Sequence, residues 1–186
     1  MRTYKCLSKQ EYTDGLFKLV PIRDEDKLLI LKMRNEQIYH LRQTEELTIE
    51  LQETYFANII SSLFDQERPS QLLFSLLEDC EFIGYGGLVH INWIDRNAEV
   101  SFIMRTELEK DRFEYNWINY LKLLEKVAFN GLRFHKIFTY AFDLRHHLYP
   151  VLESAGFQEE ARLKEHCYFN GRYLDVVINS KINKHA

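Results

Sequence analysis

Charged side chains are concentrated directly after a strand-like segment near the middle of the chain. Side chains that would face opposite sides of a strand alternate in character along residues 98–104. Residues 105–112 then carry three acidic and three basic side chains and no glycine. An open sheet usually binds its ligand at the junction between a strand and the following helix. The sequence therefore predicts that a ligand binds beside residues 105–112.

The elements around this junction indicate a βαβ unit of about 45 residues. Beyond residue 112, apolar side chains recur at steps of three and four residues, which is the spacing of one buried helical stripe. The stripe consists of Phe113, Trp117, Tyr120, Leu121, Leu124, Val127 and Ala128. Gly131 ends this helix, and residues 135–142 form a second apolar strand.

The flanking segments predict further strands and helices. In chain order they are a strand at 17–22, a helix ending near Arg34-Asn35, a helix at 48–64, strands at 72–77 and 82–91, a helix at 150–155, and a hairpin of 157–169 and 173–181. Asn170-Gly171 is a favoured two-residue turn for that hairpin. Three glycines between residues 84 and 87 indicate a bulge, or the close approach of another backbone or a ligand.

Composition argues against several classes of protein. With 186 residues, 46% of them hydrophobic, the chain can bury one core. We expect a loose polar arm at residues 1–15 and a single domain at 16–183. A net charge of −4 with dispersed Lys and Arg disfavours nucleic-acid binding. The three cysteines lack disulfide or metal spacing, and no run resembles a membrane span or signal peptide, so we expect a cytoplasmic protein with no metal and no membrane partner.

Four stretches of the chain resemble one family of enzymes. Residues 91–99, 152–160 and 168–176 are similar to spermidine and ribosomal-protein alanine N-acetyltransferases, and residues 81–88 resemble the third strand of the superfamily that contains both enzymes. The predicted order of elements is that of the GNAT superfamily, which contains both enzymes. The resemblance covers residues 16–181. It implies an α/β (α+β) fold with a mixed, mostly antiparallel seven-stranded sheet, a central βαβ unit and helices on both faces.

The resemblance implies an N-acetyltransferase with acetyl-CoA as co-substrate. The family binds the CoA pyrophosphate with a Gln/Arg-x-x-Gly-x-Gly/Ala loop, whereas residues 107–114 here form a longer loop with four acidic side chains and no glycine. Basic side chains could replace the missing backbone donors by charge-assisted contacts, and the β-strand backbone would bind the pantetheine arm. The candidate cofactor-binding residues are Phe102, Ile103, Met104, Arg105, Lys110, Arg112 and Arg145. The alternative is a binding or regulatory module that has lost the standard CoA loop.

Two residues match the catalytic positions that the resemblance implies. Glu99 matches a carboxylate that takes the proton of the amine in many family members. The usual general acid is a tyrosine at the position of Leu152, so Tyr149, one helical turn earlier, is the substitute candidate. Each has a simpler alternative, because Glu99 could be an ordinary strand residue and Tyr149 a packing residue.

The resemblance leaves the acceptor open between an amino sugar, a polyamine and a protein N-terminus. Arg34-Asn35 resembles a pair found in sugar-amine and protein N-acetyltransferases, and Tyr85 is a third candidate for substrate binding. The pair could instead cap the first helix. The open sheet edges of this fold also lead us to expect a homodimer.

Overall fold

The computed structural model describes residues 2–41 and 43–184, which form one eight-stranded sheet with helices. The strands are β1 (Tyr12–Asp14), β2 (Phe17–Pro21), β3 (Leu72–Glu78), β4 (Glu81–Asn92), β5 (Asn97–Met104), β6 (Lys136–Phe142), β7 (Gln158–Phe169) and β8 (Arg172–Ile182). They lie in the order β1-β2-β3-β4-β5-β6-β8-β7. Neighbouring strands are antiparallel except for the parallel pair β5 and β6. The predicted mixed sheet with a central βαβ unit is therefore confirmed.

The helical segments follow the predicted order. They are α1 (Lys27–Glu36), α2 (Ile49–Thr54), α3 (Ser61–Leu63), α4 (Glu109–Glu125) and α5 (Leu148–Ser154). A π-helical turn at Tyr55–Ile60 joins α2 to α3, so together they form the helix predicted at 48–64. A second π-helical turn at Lys126–Gly131 extends α4.

The helices cover both faces of the sheet. Residues next to each other in a strand point to opposite faces. Arg34 of α1 donates a hydrogen bond to Tyr85 of β4 at 2.9 Å, whereas Tyr120 of α4 lies against the neighbouring Gly86. It follows that α1 and α4 lie on opposite faces of β4.

The N-terminal segment differs from expectation. The sheet has eight strands rather than seven, because β1 pairs with β2 across a turn at Gly15. The described part of residues 1–15 is also not a loose arm, since Tyr4, Leu7 and Tyr12 are buried in the main core. Tyr4 OH donates to Leu73 O at 2.8 Å and accepts from Leu73 N at 3.0 Å. A few apolar side chains in a polar stretch are enough to anchor it.

Two glycines of β4 are required by the neighbouring strands. A Cβ atom at Gly86 would lie 2.0 Å from Ser101 O of β5, and one at Gly87 would lie 1.8 Å from Leu72 O of β3. Both distances are far below van der Waals contact, so a side chain at either position would push the strands apart. The close approach indicated by the sequence is therefore that of the sheet's own backbone.

The parallel pair of strands separates partway along its length. β5 and β6 pair from Asn97 with Lys136 to Glu99 with Phe138. Beyond these residues β5 remains paired with β4, and β6 remains paired with β8. The two strands therefore part after Glu99, and each presents an unpaired backbone edge to the gap.

The connection after β5 is shorter than predicted. Thr106–Leu108 form a 3-10 turn and α4 begins at Glu109, so the prediction of an extended loop through Arg112 is wrong. Glu, Lys and Arg are good helix formers, and acidic side chains favour the first turn of a helix. Glu109 and Asp111 occupy that turn. The charged residues after β5 are therefore the N-terminal end of a long helix.

Candidate active site

A cavity of about 420 Å³ lies where β5 and β6 part. Both strands line it, together with residues of β4, α1, α4 and α5. Of the residues that the sequence singles out, those in its wall are Arg34, Glu99, Phe102, Ile103, Arg145 and Tyr149. Those outside its wall are Asn35, Tyr85, Met104, Arg105, Lys110 and Arg112. The fold therefore brings half of the predicted site residues around one cavity.

Glu99 is the buried carboxylate of this cavity. It occupies the last position at which β5 pairs with β6, and its side chain is 8% exposed. His90 Nδ1 lies 2.8 Å from Glu99 Oε2, and the His90 side chain is 66% exposed. An ionised carboxylate only accepts hydrogen bonds, so Nδ1 carries the proton when Glu99 is ionised. A carboxylate in this setting can accept a proton from an amine that enters the cavity.

Tyr149 of α5 reaches the same cavity but is engaged elsewhere. Its hydroxyl donates a hydrogen bond to Asp143 Oδ1 at 2.5 Å. Burial and the Asp143 carboxylate raise the pKa of Tyr149, so the phenol stays protonated at neutral pH. Asp143 also pairs with Arg162. Tyr149 can therefore supply a proton to a leaving group only if it exchanges its bond to Asp143.

Arg145 is a buried cation beside the start of α4. The residue is 8% exposed, and its Nη2 donates to Glu109 Oε1 at 2.7 Å. The guanidinium carbon lies 4.9 Å from the centre of the Phe113 ring. Its Nε is buried and has no hydrogen-bond partner in the described part of the chain. Because Glu109 is the first residue of α4, Arg145 approaches the helix end at which anions bind.

His40 packs against this arginine. Its ring nitrogens lie 3.3 and 3.4 Å from Arg145 Nη1. Burial and the charge of Arg145 lower the pKa of His40 to about 3, so the imidazole is neutral at physiological pH. We call Arg145, Glu109, His40 and Phe113 the Arg145 cluster.

The other basic candidates near α4 have separate surroundings. Arg105 Nε donates to Glu107 Oε1 at 2.8 Å. Arg112 Nη1 and Nη2 each donate to Glu78 at 2.7 Å, in a bidentate pair with the end of β3. Lys110 is exposed. Both arginines therefore already bind a carboxylate of the protein.

The three β5 residues predicted to bind the pantetheine arm also differ in setting. Phe102 and Ile103 line the cavity, whereas the Met104 side chain is 1% exposed in the core. Met104 O accepts a hydrogen bond from Gln37 Nε2 at 2.7 Å. Of these three, Phe102 and Ile103 thus border space that a ligand can enter.

The predicted acceptor residues form a polar network. Arg34 Nη1 donates to Tyr85 OH at 2.9 Å, and Arg34 Nε donates to Gln43 Oε1 at 3.0 Å. Asn35 bonds to both the N–H and the C=O of Leu47, each at 2.9 Å, and so fixes the loop before α2. No carboxylate among the described residues pairs with Arg34, although its side chain lines the cavity.

Sequence reasoning does not identify His90 or Glu109 as site residues. The β4–β5 hairpin puts Val89 opposite Glu99, so its register indicates that residues near position 90 approach the carboxylate. The irregularity that turns His90 itself toward Glu99 has no sequence signal that we recognise. Glu109 and Arg145 are 36 residues apart, and their pairing depends on the packing of α4 beside α5.

Comparison with known proteins defines the class of enzyme to which this site belongs. Residues 19–178 match the family model of the acetyltransferase (GNAT) domain, and the chain therefore belongs to the GNAT family. The chain is also 32% identical over 145 residues to the spermidine N(1)-acetyltransferase of Vibrio cholerae serotype O1. That alignment covers 77% of this chain and 78% of the relative.

Solved structures share the fold over nearly the whole chain. The spermidine N-acetyltransferase from Vibrio cholerae in complex with CoA and spermine has a TM-score of 0.76 and 22% identity, covering 91% of this chain and 96% of that chain. A dodecameric structure of the spermidine N-acetyltransferase from Vibrio cholerae has a TM-score of 0.70 and 25% identity, covering 91% of this chain and 95% of that chain.

The protein is an acyl-CoA-dependent N-acetyltransferase that moves an acetyl group from acetyl-CoA to a primary amine. This membership does not favour the alternative of a binding module without acetyl transfer. Among the described residues, no group of three or more His, Cys, Asp and Glu side chains could hold a metal ion. None of the helices in the described ranges combines the length and the hydrophobicity needed to span a bilayer.

Proposed function

We propose that this enzyme acetylates a polyamine, with Glu99 as the general base and Tyr149 as the general acid. The observation that carries the proposal is the Glu99 carboxylate, which is buried beside the cavity at the point where β5 and β6 part. A polyamine is protonated at neutral pH, so one ammonium group must lose a proton before its nitrogen can attack. Glu99 takes that proton.

The amine nitrogen then attacks the thioester carbonyl carbon of acetyl-CoA. The C–N bond forms, the C–S bond breaks, and the CoA thiolate leaves. Tyr149 protonates the thiolate after exchanging its hydrogen bond with Asp143. The phenolate recovers a proton through solvent from the second N–H of the reacting nitrogen, and Glu99 releases to solvent the proton that it took from the ammonium group. The products are therefore the N-acetyl amine, CoA thiol and one proton.

The CoA phosphates would bind at the start of α4. Arg145 has the strongest support, because its guanidinium is buried beside the helix N-terminus and its Nε has no partner in the described structure. Arg105, Lys110 and Arg112 would supply further positive charge at the surface. The backbone of residues 102–104 would run beside the pantetheine arm.

One observation favours a second class of acceptor. The 32% identical relative is a spermidine acetyltransferase, which supports a polyamine. However, Glu99 is the only carboxylate among the described residues that line the cavity, and Arg34 lines it without a carboxylate partner in that part of the chain. A guanidinium attracts an anion and repels a polycation. An amino sugar on a nucleotide carrier, which joins an amine to phosphates, is therefore the second candidate.

A panel of acceptors tests the proposal. Release of CoA thiol from acetyl-CoA would be measured with spermidine, spermine, a nucleotide-linked amino sugar and a peptide with a free N-terminus. We expect the highest kcat/KM with spermidine. A higher kcat/KM for the amino sugar, lost in Arg34→Gln, would select the second candidate. If calorimetry shows CoA binding and no amine on the panel is acetylated, both candidates are wrong.

We also propose that the protein self-associates in the cytoplasm, at least as a homodimer. The support is the dodecameric spermidine N-acetyltransferase that shares its fold. β1 and β7 form the two edges of the described sheet, and exposed edges can pair with another copy. Sedimentation velocity across a range of protein concentrations measures the state directly, and a monomer at every concentration would contradict it.

A further inference from the structure

We propose that His90 is a positioning residue for the general base: its Nδ1–H holds the Glu99 carboxylate in one orientation toward the cavity. The inference rests on the proposed role of Glu99. It follows from a contact, a backbone conformation and a difference in exposure that coincide at residue 90.

The contact joins an exposed ring to a buried carboxylate. His90 Nδ1 lies 2.8 Å from Glu99 Oε2, and the two side chains are 66% and 8% exposed. A hydrogen bond at this distance fixes the position of the carboxylate oxygen that accepts it. A general base must lie within hydrogen-bond reach of the proton it takes, so an orientation that is fixed before the amine enters favours the proton transfer.

The backbone of β4 is irregular where it makes this contact possible. Val89 is the residue paired with Glu99, and in a regular strand the next residue would point to the opposite face. The register shifts between Val89 and Asn92, and His90 adopts a φ of +48°. A β-bulge re-aims a side chain in this way. A left-handed conformation at a non-glycine residue is strained, and such strain is concentrated at functional sites.

Three variants separate the role of the ring from that of the backbone. His90→Gly removes the ring and accepts a positive φ without strain. His90→Asn tolerates the same φ and keeps a nitrogen donor near the position of Nδ1. Arg96→Gly is the matched control, because Arg96 has a φ of +54° in the same β4–β5 connection and an exposed side chain.

The first readout is kinetic. With the best acceptor of the panel, His90→Gly should lower kcat on the order of tenfold, less than the loss expected from removing the base itself. The KM for acetyl-CoA should not change, and added imidazole should restore part of the rate. His90→Asn should stay within about threefold of the wild type, and Arg96→Gly should match it.

The second readout does not depend on turnover. Glutamate labelled with carbon-13 at the side-chain carboxyl reports hydrogen bonding to that carboxyl by NMR, and Glu99→Gln assigns the resonance. The Glu99 signal should change its chemical shift in His90→Gly and keep the wild-type chemical shift in Arg96→Gly. The other titratable side chains in the described cavity wall are unchanged in these variants, namely Arg34, His40, Tyr140, Arg145 and Tyr149.

The possible failures are distinguishable. If Glu99→Gln loses activity while His90→Gly keeps the wild-type rate and the wild-type Glu99 chemical shift, the role of His90 is overturned and the proposed base stands. If Glu99→Gln keeps full activity, the proposed base and the role of His90 both fail. A fall in rate for Arg96→Gly equal to that of His90→Gly would assign the effect to the connection rather than to the ring.

Discussion

The two ends of β5 are organised in opposite ways. At its N-terminal end, the Glu99 carboxylate faces a cavity and is held by His90. Beyond its C-terminal end, the arginines predicted to bind phosphate are each bound to a carboxylate of the protein. These pairs are Arg105 with Glu107, Arg112 with Glu78 and Arg145 with Glu109. The proposed base is therefore held in place in the free protein, whereas phosphate binding would require the exchange of internal ion pairs.

The difference between the two ends of β5 arises from the charged side chains in the first turn of α4. In the family's usual loop, backbone N–H groups bind the phosphates and no side chain has to move. Here Glu109 and Asp111 occupy the first turn of α4, which favours the helix but puts negative charge where a phosphate would bind. Arg145 is thus the residue for which a phosphate and Glu109 would compete.

Loss of the proposed base, Glu99, should give the largest effect on turnover. Glu99→Gln keeps the size of the side chain but cannot accept the proton of the amine, so we expect kcat to fall on the order of a hundredfold. Affinity for desulfo-CoA, measured by calorimetry, should not change, because the phosphate end is intact. Glu81→Gln, at an exposed position in the same sheet, is the control. Full activity of Glu99→Gln would remove the contrast between the two ends.

Loss of the buried Arg145 cation should affect only the phosphate-binding region beyond the C-terminal end of β5. Arg145→Gln should weaken desulfo-CoA binding by about tenfold or more, since a hydrogen bond to a charged group is worth roughly 1.5–3 kcal/mol. Arg145→Lys should be intermediate, because it keeps the charge without the planar fork. Calorimetry measures both, with the exposed Arg172→Gln as control. Equal affinity in all three variants would show that the phosphates bind elsewhere.

His40 should make the Arg145 cluster sensitive to acid. The pKa of His40 is lowered from 6.5 to about 3 by burial and by Arg145, so the unfolded chain binds a proton here before the folded protein does. The contribution of neutral His40 to the free energy of unfolding is therefore complete above pH 6.5. It is lost as pH falls toward 3, by at most about 1.4 kcal/mol per pH unit. Urea unfolding at several pH values should show that His40→Asn loses less free energy of unfolding per pH unit than the wild type does. Plots of unfolding free energy against pH that run parallel for the two proteins would contradict this.

Removal of the Glu109 carboxylate, which would compete with a phosphate for Arg145, should give the smallest effect. It should strengthen desulfo-CoA binding rather than weaken it. Glu109→Gln frees Arg145 for a phosphate, so desulfo-CoA should bind about threefold more tightly. The free protein should unfold at a lower temperature, because Arg145 is left without its counter-charge, and the ligand-induced rise in unfolding temperature should be larger. Glu81→Gln, at an exposed position in the sheet, is the control. Weaker binding by Glu109→Gln would mean that Glu109 supports CoA binding rather than competing with it.

Local sequence patterns were sufficient for most of the fold. The helical stripe from Phe113 to Ala128, the alternation in β5 and the Asn170-Gly171 turn each depend on neighbouring residues. That turn has φ values of +49° and +79°, as a two-residue hairpin requires. The N-terminal strand and the start of α4 were the errors. Both segments are polar or charged and were therefore predicted to be irregular. Their secondary structure depends on packing in the first case and on the helix dipole in the second.

The amino-acid sequence by itself determined the order of the elements and the position of Glu99 in the central strand, because periodicity and turn chemistry act over a few residues. Only the tertiary structure decided the surroundings of that carboxylate and of the buried cation. His90 meets Glu99 through a bulge, and Arg145 meets His40 across 105 residues of sequence. Such contacts depend on strand register and on how helices pack, which local patterns do not specify.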